Sequence, residues 1–354
     1  MEKILAINPG STSTKIALYD GEEEVWTEKI SYKKDKINEF DSIIDQLDMR
    51  KSDIDALLKE KNVLPQDLDA VVGRGGPFKP LESGTYIVND SLINDIKGGN
   101  VQAEHISNIG ALLANDIAQK AGIPSYFVDP VSVDEFEPVA RISGIPEIER
   151  KSLVHALNVK ATAYKEAKRV SKPLDELNLI VAHLGGGISI CPVKSGKIVD
   201  TNNANEGGPF SPERAVSLPS SSLAKLCFSG KFSYKEIKKR IVGNGGLSAY
   251  LGTNNMQEVV KRVKSGDNKA ALIFDAMVYQ IAKEIGAMAT VLFGKIDSIL
   301  LTGGMAAEEF LVNAIKERIS FLAPVVVYPG ENEMESLVMG VLRVLRKEEN
   351  VKEY

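Results

Sequence analysis

At 354 residues the chain exceeds the length that one hydrophobic core commonly supports, so two domains are expected. It is 44% hydrophobic and 26% charged with a net charge of −5, the composition of a soluble globular protein with no general basic footprint for nucleic acid. Two cysteines without CxxC spacing, Cys191 and Cys227, argue against a disulfide framework or zinc site, and no run nears the ~18 apolar residues of a membrane span. The N-terminus has no basic segment and long apolar core of the signal-peptide kind, and the expected setting is cytoplasmic.

Ile4-Leu5-Ala6-Ile7 is an apolar run that leads into Asn8-Pro9-Gly10, Ser11-Thr12-Ser13-Thr14-Lys15 and a second β-rich run, Ile16 to Tyr19. This spacing predicts strand, tight polar turn, strand. Backbone N–H groups, four hydroxyls and one ammonium then converge, an inventory suited to phosphate; a hairpin with a solvated tip has the same pattern. A third strand is predicted over Val25 to Tyr32, and an amphipathic helix over Phe40 to Lys61, interrupted by an N-cap at Ser52. Ala70 to Gly73 reads as a short buried strand ending in Arg74-Gly75-Gly76-Pro77. Ile106 to Lys120 has helical spacing, Ser125 to Asp129 is strand-like, and Glu147 to Val170 reads as one long helix.

A second block then repeats that order. Leu179 to Leu184 is a strand, Gly185-Gly186-Gly187 a turn, Ile188 to Val193 a strand, and Lys197 to Asp200 another. Two similar α/β halves facing one cleft are expected, with the break between residues 148 and 178. A third glycine turn, Thr302-Gly303-Gly304, follows the strand-like Ser298 to Leu301 and precedes a helix, which would bring a nucleoside or phosphate to that helix's N-terminus. The helix Ala270 to Phe293 is apolar enough for core or interface. The last helix, Glu335 to Lys347, carries apolar residues at helical spacing and is placed back over the first half. No GxxxxGK[ST] sequence is present, nor a GxGxxG after the first strand, which excludes a P-loop and disfavours a Rossmann fold.

In this order and spacing, the three turns resemble the acetate and butyrate kinase family of the actin, sugar-kinase and Hsp70 superfamily. Asn8 to Lys15 is similar to its N-terminal signature, His183 to Ser189 to its second phosphate segment, and Thr302 to Ala306 to its adenosine segment. Val72-Gly73-Arg74-Gly75-Gly76-Pro77, with Gly245-Gly246-Leu247 and Tyr250 to Thr253, resembles the butyrate branch. The resemblance covers essentially the whole chain. It implies an α/β fold of two ribonuclease H-like, actin-like ATPase domains related by duplication, with a cleft between them. Residues 1–149 plus 336–354 would form the first domain and 150–335 the second.

The resemblance also implies reversible phosphoryl transfer between ATP/ADP and a short-chain fatty acid such as butyrate, with Mg2+, in a homodimer or higher homo-oligomer and without nucleic acid or membrane partners. A carboxylate is already ionised near neutral pH, so the reaction needs charge stabilisation rather than a general base. A fork-shaped arginine meets that need. Arg74 is the first candidate and Arg214 the second, although Arg214 also suits a simple salt bridge with a neighbouring acid. His183 is assigned to the transferring phosphoryl group, and Asp129 to the metal and phosphoryl site or to a turn cap before Pro130. Asn8, Ser11, Thr12, Ser13 and Lys15, with Gly185, Gly186, Gly187, Gly303 and Gly304, are the nucleotide-binding candidates. Asn8 and Glu333 are the metal candidates; Glu331 and Glu335 are alternatives, and a helix N-terminus favours acids without any metal. His105 is read either as a helix-start residue or as lining the acyl pocket, and His155 as supporting the hinge helix.

Overall fold

The computed structural model describes residues 2–354. The chain divides into two compact units: one takes the chain up to Asp134 together with Asn332–Tyr354, the other Glu135–Glu331.

The first unit is built on a seven-stranded sheet. Its strands are β1 (Lys3–Gly10), β2 (Ser13–Asp20), β3 (Glu23–Ser31), β4 (Ala70–Arg74), β5 (Thr85–Ile87) and β6 (Ser125–Val128), with the short C-terminal strand Lys352–Glu353 at one edge. β1, β4 and β6 run parallel in the centre, while β2 and β3 extend β1 as antiparallel ribbons. Residues on β1 and β2 alternate between two buried faces. Leu5, Ile7, Ile16 and Leu18 join Ile54, Leu58, Ile109 and Leu113 in one core. The helix Glu333–Leu345 packs against β1, β4 and β6.

The second unit repeats the central arrangement with five strands: β7 (Asn178–Leu184), β8 (Ile188–Lys194), β9 (Lys197–Ile198), β10 (Ser298–Gly303) and β11 (Val325–Pro329). β7, β10 and β11 are parallel, and β8 and β9 continue β7 as antiparallel ribbons. The order of ribbons and parallel strands around β7 therefore matches that around β1. The helix Asn268–Val291 is core: Phe274, Met277, Ile281 and Ile285 are at most 1% exposed and pack with Ile180, Ile299 and Leu301. Among the described residues no helix is long and apolar enough to cross a membrane.

Several predicted elements differ. The first hairpin is tighter than expected, because Gly10 pairs with Ser13 and only Ser11 and Thr12 form the turn. Strand alternation then separates the hydroxyls: Thr14 points into the core and is fully buried, while Ser11 and Thr12 are exposed. The helix expected from Phe40 starts only at Leu47, after a 3-10 turn at Ile44–Gln46, and runs unbroken to Glu60 with Ser52 on its outer face, since Arg50, Ile54 and Leu58 at four-residue spacing bury the opposite stripe. The long helix begins only at Ala156 and runs to Val170. Ahead of it, the Arg150 N–H bonds to the Arg141 carbonyl, and its guanidinium is held by Asp200 at 2.7 Å and the Thr201 carbonyl at 2.9 Å. Those partners replace the helical ones.

Candidate active site

In both units the candidate residues collect at the carboxyl ends of the parallel strands, where side chains and loops leave the sheet together. In the first unit β1 ends at the Gly10 turn and β4 at Arg74. Arg74 lies beside Val128, so Asp129 emerges next to it.

Arg74 and Asn8 converge on one carboxylate. Arg74 Nη1 pairs with Glu333 Oε1, and Asn8 Nδ2 donates to Glu333 Oε2 at 2.5 Å. The arginine side chain is 12% exposed and the glutamate 30%, so the pair sits at a partly dry surface. Glu333 is also the first residue of its helix, where the macrodipole favours a negative charge. Of the two sequence readings of Glu333, helix-terminal acid and metal ligand, its place at the helix start answers to the first.

The glycines around Arg74 have a packing role. A Cβ at Gly73 would lie 2.1 Å from the Gly110 carbonyl oxygen, and one at Gly76 would lie 1.9 Å from Asn108 Oδ1. They let the helix Asn108–Ala121 press against the strand end and so fix where Arg74 begins. His105 lies near the same arginine. Burial, and then the Arg74 charge, push its pKa below the ordinary histidine value. Its Nδ1 lies 2.7 Å from Ser107 Oγ and 3.3 Å from the Ser107 N, contacts that hold the ring at the helix start.

Asp129 is 2% exposed and adopts a left-handed backbone, φ 38°. Its Oδ1 accepts from the Gly84 N–H at 2.7 Å, while its own N–H donates to the Gly84 carbonyl at 3.0 Å. The side chain therefore ties the strand end to a neighbouring loop. Lys15 is exposed on β2, opposite Asn8 in register and so on the same face.

The second unit presents dipoles and imidazoles instead. His183, on the last turn-side residues of β7, is 2% exposed and stacks on His155 with ring centroids 4.0 Å apart and planes 11° apart. His155 Nδ1 lies 2.9 Å from Ser189 Oγ. Asn158 Nδ2 donates to the Glu331 carbonyl at 3.1 Å, which turns its Oδ1 towards His183 Nδ1 at 2.7 Å. Nδ1 must then carry a proton. The other nitrogen, Nε2, lies 3.8 Å from Glu331 Oε1 and gains a proton only when the ring becomes imidazolium.

The triple glycine follows directly. The Gly185 N–H bonds to the Gly187 carbonyl at 3.2 Å, and Ser211 Oγ donates to the Gly186 carbonyl at 2.5 Å. A Cβ at Gly187 would fall 2.2 Å from Arg214 Nη1, so this glycine makes room for the guanidinium. Arg214 itself donates to the Ala204 carbonyl at 3.1 Å, and burial lowers its pKa. Gly303 has φ 89° and a Cβ there would meet the Leu184 carbonyl oxygen at 2.4 Å, whereas a Cβ at Gly304 would meet nothing within 4 Å.

The helix expected straight after Thr302-Gly303-Gly304 is displaced. A short 3-10 turn, Gly304–Ala307, comes first, and the helix Glu309–Ile319 is capped by Glu308, whose carboxylate accepts from the Phe310 N–H. An acid at that terminus disfavours a phosphate there.

His155, read as supporting the hinge helix, sits at the N-terminus of the helix Ala156–Val170 and also stacks on His183. Two residues escaped the sequence reading. Asn158 fixes a histidine tautomer from 25 residues away in the chain, a relation with no local signal. Arg50 lies under the first turn and is hidden within an ordinary charged helix.

Among the described residues no group of three or more His, Cys, Asp or Glu side chains forms a metal site. Magnesium does not demand one, because it commonly takes one or two carboxylates, several waters and substrate phosphates. The hard oxygens of Glu333 and Asn8 fit that requirement. Asp129 also offers carboxylate oxygens, with Oδ1 already taking the Gly84 N–H.

The profile of the acetokinase family matches residues 149–323. A probable butyrate kinase 2 of Caldanaerobacter subterraneus is 52% identical over 354 residues, all of both chains. Butyrate kinase 2 of Clostridium acetobutylicum is 50% identical over 353 residues, 99% of each chain. Among solved structures, Porphyromonas gingivalis acetate kinase superposes with a TM-score of 0.80 at 17% identity, covering 98% of this chain and all of that one, and so shares its fold.

Proposed function

The chain belongs to the acetokinase family, alongside its butyrate kinases, and we propose that it moves the γ-phosphoryl group of ATP reversibly onto the carboxylate of a short-chain fatty acid, giving an acyl phosphate and ADP. The observation that carries this reading is identity above half over the entire chain to a protein named a probable butyrate kinase. Butyrate, or a branched or neighbouring chain length, is the proposed acceptor. The acceptor oxygen attacks phosphorus while the bond to the ADP oxygen breaks, and no proton has to be removed first.

The site chemistry supports roles for particular residues. Arg74, with Nη1 on Glu333, offers its guanidinium fork to a carboxylate or phosphoryl group. Ser11, Thr12, Ser13 and Lys15 offer hydroxyls, N–H groups and a charge to phosphates. The Gly185–Gly187 turn and the Gly303–Gly304 turn give backbone access for the nucleotide. His183, as imidazolium, stabilises the phosphoryl group in flight, and Arg214 supplies charge behind the glycine turn. Magnesium, bound with the nucleotide and held through Glu333 and Asn8, would neutralise phosphate charge. The dry setting of Arg74 and His183 limits the competing attack by water.

The test is an incubation with ATP, Mg2+ and each acid from acetate to branched C5 acids, trapping acyl phosphate with hydroxylamine. Hydroxamate is expected with butyrate and its near neighbours. Absence of hydroxamate from every acid overturns the proposal.

A further inference from the structure

Behind the Gly10–Ser13 turn lies a guanidinium that is fully buried and has no carboxylate in ion-pair contact among the described residues. Arg50 Nη2 donates to the Gly10 carbonyl at 3.0 Å and the Ser11 carbonyl at 3.4 Å, and Nη1 to the Ser13 carbonyl at 2.9 Å and Thr14 Oγ1 at 2.8 Å. Gln46 Oε1 takes the rest, from Nε at 3.3 Å and Nη2 at 2.9 Å. The Tyr32 ring lies 4.6 Å away, and its hydroxyl meets Thr14 Oγ1 at 3.2 Å. Every donor of the fork is used by a neutral acceptor, and the nearest carboxylate that acts on the charge, Asp53, does so from beyond ion-pair distance.

This arrangement is costly for a structural clamp. A buried charge is ordinarily paired, and a hairpin closed by two residues holds its turn without one. What the fork adds is orientation. A trans peptide places its C=O and the following N–H on opposite sides. Carbonyls of Gly10 and Ser11 drawn inward to Arg50 therefore turn the N–H groups of Ser11 and Thr12 outward. The Thr12 carbonyl is also engaged, by the Tyr32 N–H at 2.8 Å, which turns the Ser13 N–H the opposite way. Backbone donors aimed outward over a buried cation with no direct ion-pair partner make an anion-binding concavity.

We infer that Arg50 is a positioning residue for this turn: it aims the N–H groups of Ser11 and Thr12 at a nucleotide phosphate and supports them with its buried charge. The inference rests on the proposed use of the turn for ATP phosphates, and deepens it by assigning the group that builds the site from behind.

The experiment compares the ratio of adenosine to MgATP dissociation constants, which reports the phosphate contribution within one folded sample. Arg50→Met is expected to lower this ratio about tenfold or more, with adenosine affinity within about twofold of the parent protein. The double variant S11A/S13A, which alters the turn directly, should also lower it. A lowered ratio in S11A/S13A with an unchanged ratio in Arg50→Met overturns the inference and leaves the turn reading intact. S11A/S13A keeps the backbone N–H groups, so an unchanged ratio there with a lowered ratio in Arg50→Met supports the inference, whereas an unchanged ratio in both variants overturns the turn reading and the inference with it. Equal losses for adenosine and MgATP in Arg50→Met overturn the inference in favour of a purely structural clamp. Should Arg50→Met fail to fold, Arg50→Lys keeps the charge but cannot reach all three carbonyls. It should lower the ratio about threefold, and an unchanged ratio overturns the inference.

Discussion

The two units share one strand plan and furnish it with opposite chemistry. Around β1, the strand ends carry formal charge: Arg74, Glu333 and, beneath the turn, Arg50. Around β7 they carry three glycines, two stacked imidazoles and an amide, with Arg214 set back behind Gly187. A repeated backbone therefore fixes where residues emerge but not what they do. The first unit suits holding and neutralising small anions, whereas the second suits close backbone approach. Substitutions that remove the special chemistry of one unit, leaving its strands in place, can break this contrast or sharpen it.

The largest effect is expected at Arg74. Arg74→Ala should lower kcat ~10²–10³-fold, as for loss of a preorganised transition-state donor. MgATP affinity should stay within about twofold, since the proposed nucleotide donors lie elsewhere. Glu333 also loses its partner, so Arg74→Ala/Glu333→Gln separates the two consequences. If that double variant regains the rate, the arginine served mainly to neutralise Glu333. If ATP binding collapses in the single variant, Arg74 belongs to the nucleotide and its assignment here is wrong.

In the second unit charge is used inside the fold. The Glu166 side chain is 1% exposed, with Arg169 bonded to both oxygens, Ser298 on one at 2.6 Å and Tyr328 on the other at 2.8 Å. The Arg169 hydrogen bonds, helped by Ser298 and Tyr328 and opposed by burial, pull its pKa down to about 2. The folded value lies below the unfolded one. Its stabilisation is thus complete above the ordinary glutamate range near 4.5 and fades as pH falls towards about 2. Glu166→Ala should lose ~3 kcal/mol at neutral pH, measured by denaturant unfolding, because it strands buried donors. The gap to the parent protein should narrow below pH ~4.5. A gap that does not change with pH would assign the loss to packing alone.

How far the sequence showed this division depends on range. The turns at Asn8–Lys15, Gly185–Gly187 and Gly303–Gly304 were legible, because glycines and hydroxyls after apolar runs are local signals. So was the repeated order of strands. The run Gly73-Arg74-Gly75-Gly76 stood out for the arginine it carries at a strand end, yet two of its glycines are set by contact with Gly110 and Asn108. The Asn158–His183 and Arg50–turn relations join residues 25 and about 40 apart, on a helix and a strand, and nothing in either segment announces the other. The helix start was overestimated at Glu147 because charged amphipathic spacing does not reveal that Arg150 is committed to Asp200 and Thr201.

A smaller effect is expected at Asn158, whose side-chain oxygen holds the His183 proton on Nδ1. Asn158→Leu removes that acceptor and lets the imidazole turn or change tautomer. It should lower kcat about tenfold at a fixed pH, with MgATP affinity within about twofold of the parent protein. An unchanged kcat in Asn158→Leu would mean that the orientation of His183 does not govern the rate.

The smallest effect tests the claim that the second unit works by backbone approach. Gly303 and Gly304 are adjacent yet differ physically. Gly303 needs its glycine for the fold, given φ 89° and the Leu184 carbonyl 2.4 Å from a Cβ; at Gly304 a Cβ meets nothing within 4 Å. Gly304→Ala should therefore leave thermal stability within about 0.5 kcal/mol of the parent, in the range of surface substitutions. Any change must come from what the added methyl excludes. If the nucleoside passes over this turn, adenosine and MgATP should weaken together by about three- to tenfold, because lost contact with the shared nucleoside affects both equally, and the rate at saturating ATP should hold. If both affinities are unchanged, the open space beside Gly304 is plain solvent, and the strand ends of the second unit have one functional turn, at Gly185–Gly187, rather than two.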